Sequence, residues 1–213
     1  MHNVERYLDE LIERYPALAG CRETIFSAYE FMRRAYEQGG KLLIAGNGGS
    51  AADSEHMVGE LMKRFQLSRQ VRDEFAEKLK SVDGDRGALL ARNLERALPA
   101  ISLVTHEALL SAYINDVDSY SGFAQQLFGL GKMKDVFVGI STSGNSQNII
   151  NAAITAKAMG ITSVALTGED GGELAKLADV SVRVPARKTY QVQELHLPVY
   201  HCWCNMLEEY FFG

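Results

Sequence analysis

One short stretch of this chain contains a pair of residues that could do chemistry, a histidine and a glutamate four positions apart. His56 and Glu60 share one face of a helix-like segment, and Arg64 continues the row. An imidazole beside a carboxylate suits acid/base chemistry or metal binding. The same spacing is also typical of a ladder of surface charges worth about 0.2–0.5 kcal/mol per pair, so the spacing alone leaves both interpretations open.

The segment that carries this pair follows an apolar run and a glycine-rich turn. Residues 42–45 predict a strand, and residues 46–50, Gly-Asn-Gly-Gly-Ser, end it because glycine tolerates positive φ and close approach of another group. Ser50 is expected to cap the helix, with Asp53 completing a capping box. A helix N-terminus after such a turn attracts anions, although glycine-rich turns also occur in α/β proteins without a ligand.

A second turn, rich in hydroxyl groups, has the same relation to a strand and a helix. Residues 141–146, Ser-Thr-Ser-Gly-Asn-Ser, follow a strand predicted at 136–140 and precede a helix at 147–159. Hydroxyls and backbone amides at a helix start suit a phosphate monoester. A third turn, 167–172, follows a strand predicted at 163–166. Because strands alternate with helices, we expect a parallel sheet with all three turns at one edge.

The remaining segments are predicted to be mainly helical. Residues 3–15 and 22–38 form amphipathic helices, which we interpret as an oligomer-forming arm, with packing on their own sheet as the alternative. Residues 66–97 contain charged, helix-favouring stretches separated by a turn signal at 81–85, and predict an inserted helical hairpin or lid. The last helix ends at Phe212.

The composition excludes several classes of protein. With 213 residues, 46% hydrophobic and 23% charged, the chain suits one domain with a full core. A net charge of −5 argues against a nucleic-acid surface, and no apolar run approaches the roughly 20 residues that span a bilayer. We expect a cytoplasmic protein whose cysteines, Cys21, Cys202 and Cys204, are reduced and buried.

The two glycine motifs that bind nucleotides are incomplete. Gly46-x-Gly48-x-x-Ala51 fits the dinucleotide pattern G-x-G-x-x-A, but the next strand is delayed to residue 100 and carries no acidic residue for the ribose. A P-loop is excluded because no Lys-Ser/Thr pair follows the glycines at the required spacing. No nucleotide cofactor is therefore expected.

Five blocks together resemble the sugar isomerase (SIS) domain of the phosphoheptose isomerase family. They are residues 46–50, Asn115-Asp116, 141–146, 166–172, and Gln193-Glu194-x-His196 with His201. The resemblance implies a flavodoxin-like three-layer α/β sandwich, a single SIS domain over 1–213 with N-terminal helices (1–40) and an insertion (66–97). It also implies a homotetramer with active sites at subunit contacts.

The resemblance also implies a reaction and the residues for it. Family members interconvert sedoheptulose 7-phosphate and D-glycero-D-manno-heptose 7-phosphate, the first step toward the heptose of bacterial lipopolysaccharide. The implied substrate-binding residues are Asn47, Gly48, Gly49, Ser50, Asp116, Ser141, Thr142, Ser143, Ser146 and Gln193. The implied zinc ligands are His56, Glu60, Gln193 and His201. Of these, Glu60 would move the proton between C1 and C2 while His201 serves the oxygens.

Several features of the sequence qualify the resemblance. Gln193 and His201 diverge by ~80° on a regular helix, and Pro198 between them should kink that helix or mark its first turn. Residues 189–192 lack the acidic residue that the family commonly has there, and 66–97 departs from the typical member. We interpret His196 as structural.

Two alternatives to the isomerase come from other classes of function. One is a catalytically silent SIS protein that binds a phosphosugar or a regulatory protein partner. Such relatives lose the glutamate and the last histidine, whereas Glu60 and His201 are both present here. The other is a nucleotide-dependent oxidoreductase, which the missing ribose acid disfavours.

Overall fold

A computed structural model describes residues 3–213 and contains one parallel sheet. The five strands lie in the order β2-β1-β3-β4-β5, and every neighbouring pair is parallel. Their bounds are β1 Leu42–Ala45, β2 Ala100–Ser102, β3 Val136–Ser141, β4 Thr162–Thr167 and β5 Val180–Arg183. Every residue of β1 and β3 is buried, as in a sheet covered on both faces. The predicted α/β class is confirmed.

Helices cover both faces of the sheet and form the outer two layers. The α-helices are α1 Glu5–Arg14, α2 Arg22–Glu37, α3 Gly49–Met62, α4 Asp73–Val82, α5 Gly84–Asn93, α6 Glu107–Asp116, α7 Gly122–Leu130, α8 Gln147–Ala158, α9 Gly172–Leu177 and α10 Thr189–Phe212. Helices α1, α2, α3 and α10 share one apolar core with the sheet, and α7, α8 and α9 share a second core on the other face. No helix within 3–213 has the length and apolar character needed to cross a bilayer.

Helix α2 packs on the chain's own sheet and α1 packs on α10 and α2, so both lie against their own chain, close to the alternative to our interpretation of them as an oligomer-forming arm. Leu8 and Leu11 of α1 are buried in the core that α10 shares, and Ile25 and Met32 of α2 are fully buried. Trp203 of α10 donates its indole N–H to the Ile25 carbonyl at 3.0 Å. The apolar faces of both helices are thus covered within one chain, so they need no second copy for burial.

Residues 66–97 form the predicted helical hairpin, with different bounds. Its two helices, α4 and α5, pack against each other, and only Asp83 separates them, because the predicted turn residues 81–82 continue α4. Asp83 caps α5 by accepting from the Arg86 amide at 2.9 Å. An antiparallel bridge between Gln70 and Glu95 closes the base of the hairpin. That this segment is an insertion stays a prediction.

Helix α10 is the longest element and runs without a break through Pro198. Because α10 begins at Thr189, Pro198 does not mark its first turn, which was one of the two expectations for this proline. The three cysteines are free and buried, as predicted. Burial raises the pKa of the Cys202 thiol to about 12, so this group stays protonated and packs as an apolar side chain.

A buried carboxylate joins α10 to the end of α3. Glu208 is 1% exposed and accepts hydrogen bonds from the backbone amides of residues 65, 66 and 67 at 2.6–3.1 Å. Its Oε1 also accepts from Arg69 Nε at 2.7 Å. Arg69 in turn donates to the carbonyls of Leu61 (2.7 Å) and Glu60 (3.2 Å) at the C-terminal end of α3. Both charges are buried and fully engaged, so their positions are fixed relative to each other.

We expect Glu208→Gln to lower the free energy of unfolding by about 3–5 kcal/mol, because it leaves the Arg69 guanidinium buried without its counter-charge. Urea unfolding followed by circular dichroism measures this change. Glu74→Gln is the matched control, since Glu74 forms an exposed pair with Lys78 worth at most about 1 kcal/mol. Equal effects of the two substitutions would contradict the assignment of Glu208 as an anchor.

Candidate active site

The first predicted turn follows β1 and leads directly into α3. Gly48 has φ +54° and is the N-cap residue, which an L side chain would strain. Ser50 therefore lies inside the first turn of α3, where its amide donates to the Asn47 carbonyl at 3.0 Å. The prediction that Ser50 caps this helix through a box with Asp53 is wrong, because the positive φ at Gly48 starts the helix earlier.

The second predicted turn follows β3 and leads into α8. Gly144 has φ +67°, and a Cβ there would lie 2.0 Å from the Gly171 carbonyl oxygen, so this turn packs tightly on the third one. Ser141 Oγ and Ser146 Oγ lie 3.0 Å apart. Ser146 is the N-cap of α8 but makes no side-chain cap hydrogen bond, so its hydroxyl, which pairs with Ser141 Oγ, does not occupy the first amides of α8.

The first two turns and the start of α10 enclose one cavity of about 300 Å³, here called the loop cavity. Its lining residues are Asn47, Gly48, Gly49, Ser50, Ile140, Ser141, Thr142, Ser146, Thr189 and Gln193. Eight of these belong to the predicted substrate-binding set. The cavity is rich in hydroxyls, amides and glycine backbone, a composition that suits a phosphate group and neighbouring sugar oxygens.

Two predicted substrate contacts lie outside the loop cavity. Asp116 is at the exposed C-terminal end of α6, where its Oδ1 accepts from Asn115 Nδ2 at 2.7 Å. The Ser143 hydroxyl accepts from the Asn145 amide at 3.1 Å and so helps to shape the second turn. Sequence reasoning missed Asn148 of α8, which exchanges two side-chain hydrogen bonds of 2.9 Å with Asn47 across the turns. No local pattern marked that pair.

Helices α3 and α10 run in the same direction and place their side chains opposite each other. Gly49 faces Gln193 closely enough that a Cβ on Gly49 would lie 2.4 Å from Gln193 Nε2. Seven residues further along both helices, His56 Nδ1 lies 3.0 Å from the Tyr200 hydroxyl. His201, the next residue of α10, consequently faces the same part of α3.

His56, Glu60 and His201 form a group that we call the His–Glu cluster. His56 Nε2 lies 3.3 Å from Glu60 Oε1 and 3.5 Å from His201 Nε2. Lys63 Nζ donates to the other oxygen of Glu60 at 2.9 Å. His56 and Glu60 therefore do not form only a surface ion pair along one helix, because His201 from a helix distant in the sequence joins them. Arg64 is not part of the cluster and pairs with Glu95.

One buried and two partly buried side chains, Tyr200, Phe65 and Asp53, lie next to the His–Glu cluster. The rings of Tyr200 and Phe65 contact the His201 ring at centroid distances of 4.9 and 5.5 Å. Burial and the neighbouring His56 lower the pKa of His201, which favours the neutral imidazole. Burial raises the pKa of Asp53, whereas its hydrogen bond from Tyr200 has the opposite, smaller effect.

The four predicted zinc ligands are only partly brought together. His56, Glu60 and His201 lie in the cluster, whereas Gln193 lies beside Gly49, two helical turns or ~12 Å of helix from His201. Within residues 3–213, no group of three His, Cys, Asp or Glu side chains has an arrangement that would hold a metal ion. Gln193 and His201 are therefore separated along α10, whereas the angular divergence predicted from their spacing stays a prediction.

His196 lies on α10 between Gln193 and His201 but does not line the loop cavity. It is fully buried, and burial lowers its pKa to about 4, against a smaller effect of the Thr167 backbone. A neutral, enclosed imidazole of this kind agrees with the structural role predicted for it. His106 contacts Gln126 at 2.5 Å and is remote from the cluster in the sequence and in its contacts.

The fold and the site together define a class of protein, the SIS-domain sugar isomerases. A profile described as the SIS domain matches residues 86–168, which include β2, β3 and the second turn. The N-terminal part of this match overlaps the end of the helical hairpin.

Comparison with known proteins identifies the family within that class. The phosphoheptose isomerase of Sulfurimonas denitrificans is 42% identical over 81% of this chain and 75% of its own. That of Alkalilimnicola ehrlichii is 34% identical over 99% of this chain and 95% of its own. The solved phosphoheptose isomerase of Neisseria gonorrhoeae superposes with a TM-score of 0.71 and 32% identity, covering 96% of this chain and 92% of the other. This chain belongs to the phosphoheptose isomerase family.

Two glycines of α3 provide a matched test of the loop cavity. We expect Gly49→Ala to weaken phosphosugar binding at least ~10-fold, since the new methyl group would displace the Gln193 amide from the cavity. Gly59→Ala on the same helix meets no atom within 4 Å and should leave binding unchanged while stabilising the fold by about 0.5–1 kcal/mol. Calorimetric titration with a sugar phosphate measures both, and unchanged affinity in Gly49→Ala would contradict this role for the cavity.

Proposed function

We propose that this chain interconverts sedoheptulose 7-phosphate and D-glycero-D-manno-heptose 7-phosphate as an aldose–ketose isomerase. The observation that carries the proposal is the His–Glu cluster. In it, the Glu60 carboxylate of α3 and the His201 imidazole of α10 both contact His56 Nε2. Membership of the phosphoheptose isomerase family supplies the substrate. The reaction would serve bacterial heptose synthesis, including lipopolysaccharide precursors, in the cytoplasm.

The loop cavity would bind the phosphate end of the substrate. Ser141, Thr142 and Ser146 contribute hydroxyls, and the starts of α3 and α8 contribute backbone amides and favourable helix dipoles. Asn47 and Gln193 would contact sugar oxygens next to the phosphate. His56 lies seven residues along α3 from Gly49, ~10 Å of helix, which is comparable with the length of an open-chain heptose phosphate. The reacting end of the sugar would therefore reach the cluster.

Glu60 and His201 would carry out the proton transfers. Isomerisation needs a base that removes the proton α to the carbonyl and a group that moves a proton between O1 and O2 through an enediol. Glu60 would take the proton from C1 of the ketose and return it to C2 of the enediol. His201, whose lowered pKa keeps it neutral, would exchange the proton between the two oxygens.

Zinc fits the donor types of the cluster. His56, Glu60 and His201 offer two imidazole nitrogens and one carboxylate oxygen, a ligand set that zinc accepts in catalytic sites. We propose that these three residues would hold the ion once their side chains move closer together, because no metal-binding arrangement is present among residues 3–213, and that Gln193 would join them only after a larger change of position. When bound, zinc would polarise the sugar oxygens.

We also propose that the protein is a homotetramer, because a subunit contact would explain the position of Asp116. Asp116 lies outside the loop cavity of its own chain, on a helix with exposed apolar side chains such as Leu109 and Ile114. A second copy packed on α6 would cover this surface and bring Asp116 toward a neighbouring site. The implied sugar contact of Asp116 would then be made across a subunit contact.

The alternative function is that of a silent SIS protein that binds a phosphosugar or a regulatory protein. The loop cavity alone would suit such a binder. The presence of both Glu60 and His201 beside His56 favours the enzyme, because binding alone requires neither side chain.

We expect the protein to convert sedoheptulose 7-phosphate to an aldose phosphate, and Glu60→Gln and His201→Asn each to lower kcat ~10²–10⁴-fold. Product analysis by chromatography measures turnover. Arg64→Gln is the control, since Arg64 is exposed and outside the cluster. Near-normal turnover in Glu60→Gln would refute the assignment of the base, and tight binding without aldose product would favour the silent binder.

Removal of zinc tests the metal separately. We expect the purified protein to contain about one zinc per chain and to lose most of its activity after chelation, with recovery on adding zinc. Elemental analysis and activity assays measure both. Protein without bound metal and with undiminished activity would exclude zinc from the mechanism.

A further inference from the structure

The structure holds His56 through its Nδ1 atom, on the side opposite the cluster. The Tyr200 hydroxyl lies 3.0 Å from His56 Nδ1 and donates to Asp53 Oδ1 at 3.2 Å. Tyr200 is 1% exposed, and Asp53 Oδ2 is buried with no hydrogen-bond partner among residues 3–213. Asp53, Tyr200 and His56 thus form a hydrogen-bond chain that is shielded from water on the side away from the cluster.

With Asp53 in its ionised form, a count of the protons gives the direction of this chain. An ionised carboxylate only accepts hydrogen bonds, and a tyrosine hydroxyl has one proton to donate. When Tyr200 gives that proton to Asp53, its oxygen is left as an acceptor toward His56. The Nδ1 atom of His56 must then carry the imidazole proton, and the neutral ring keeps a lone pair on Nε2.

The free lone pair points to the reacting side of the site. His56 Nε2 lies 3.3 Å from Glu60 Oε1 and 3.5 Å from His201 Nε2. With the proton on Nδ1, His56 accepts a hydrogen bond from His201 or binds a cation shared with Glu60, whereas a proton on Nε2 would block the cation. A histidine that binds a metal commonly donates its other N–H to an outer partner of this kind.

We propose that Tyr200, held by Asp53, is a positioning residue that keeps the proton of His56 on Nδ1 and so presents the Nε2 lone pair to Glu60 and His201. Its meaning for catalysis rests on the proposed isomerase function. The tautomer follows from these contacts together with an ionised Asp53, and it is measurable without substrate.

Another buried tyrosine shows that burial by itself does not require such a chain. Tyr36 of α2 packs in the same core, and its hydroxyl has no hydrogen-bond partner among the described residues. Tyr36→Phe therefore removes a buried hydroxyl without touching the site. It is a matched control for Tyr200→Phe.

The test is nitrogen NMR of the full-length protein labelled with ¹⁵N-histidine, measured as purified and after chelation. Long-range ¹H–¹⁵N spectra distinguish the two tautomers, and the His56 signals are those missing in His56→Asn. We expect the Nδ1–H tautomer in the wild type and in Tyr36→Phe, and loss of this preference in Tyr200→Phe. An Nε2–H tautomer in the wild type, which needs no variant to fold, would overturn the proposal, as would an unchanged tautomer in Tyr200→Phe.

Kinetics separate positioning from a general loss of structure. Tyr200→Phe should lower kcat about 10-fold with unchanged KM, because Tyr200 does not line the loop cavity that binds the phosphate. Tyr36→Phe should change neither. A rise in KM alone would refute the positioning role. Wild-type protein with the Nδ1–H tautomer but no isomerase activity would refute the proposed function and leave the tautomer assignment standing.

Discussion

The buried pair of Glu208 and Arg69 is the interaction on which the arrangement of the site depends. Glu208 belongs to α10, the helix of His201, and Arg69 donates to the last carbonyls of α3, including that of Glu60. Two buried charges persist only when each is fully satisfied, and here three backbone amides complete the shell of the carboxylate. The end of α3 and the last turns of α10 therefore hold one relative position. The side chains of Glu60 and His201 are both held beside His56 as a result.

A second constraint, a steric one, acts at the other end of the same two helices. Gly49 lets the Gln193 side chain approach the backbone of α3, so that the helices start close together and run in one direction. Between these two ends the opposing side chains are brought into register, and His56 meets Tyr200 and His201. The side chains of the His–Glu cluster are thus positioned by helix packing, whereas the proposed phosphate site is formed by turns.

The local sequence predicted most of the elements and the loop cavity, because periodic apolar residues, glycines and hydroxyls act over a few positions. It misplaced the start of α3, where the positive φ of Gly48 outweighs the capping preference of Ser50. It missed the partners that hold the cluster, since Asp53 and Tyr200, or Arg69 and Glu208, are 139 or more positions apart. Contacts at such separations leave no local pattern. The family resemblance named the histidines and Glu60 but not the groups that orient them.

The proposed separation of phosphate binding from proton transfer would explain how this fold selects a seven-carbon substrate. In that proposal the loop cavity binds the phosphate, and the His–Glu cluster lies about two helical turns further along α3, ~10 Å away. A shorter sugar phosphate bound at the same turns would leave its carbonyl short of Glu60, whatever the affinity for its phosphate. Because the distance is built into a helix and held at both ends, it is not easily adjusted by loop movement. Under the proposed function, the rise of α3 would set the length of sugar that fits, and specificity would follow from the same packing that holds Glu60 and His201 beside His56.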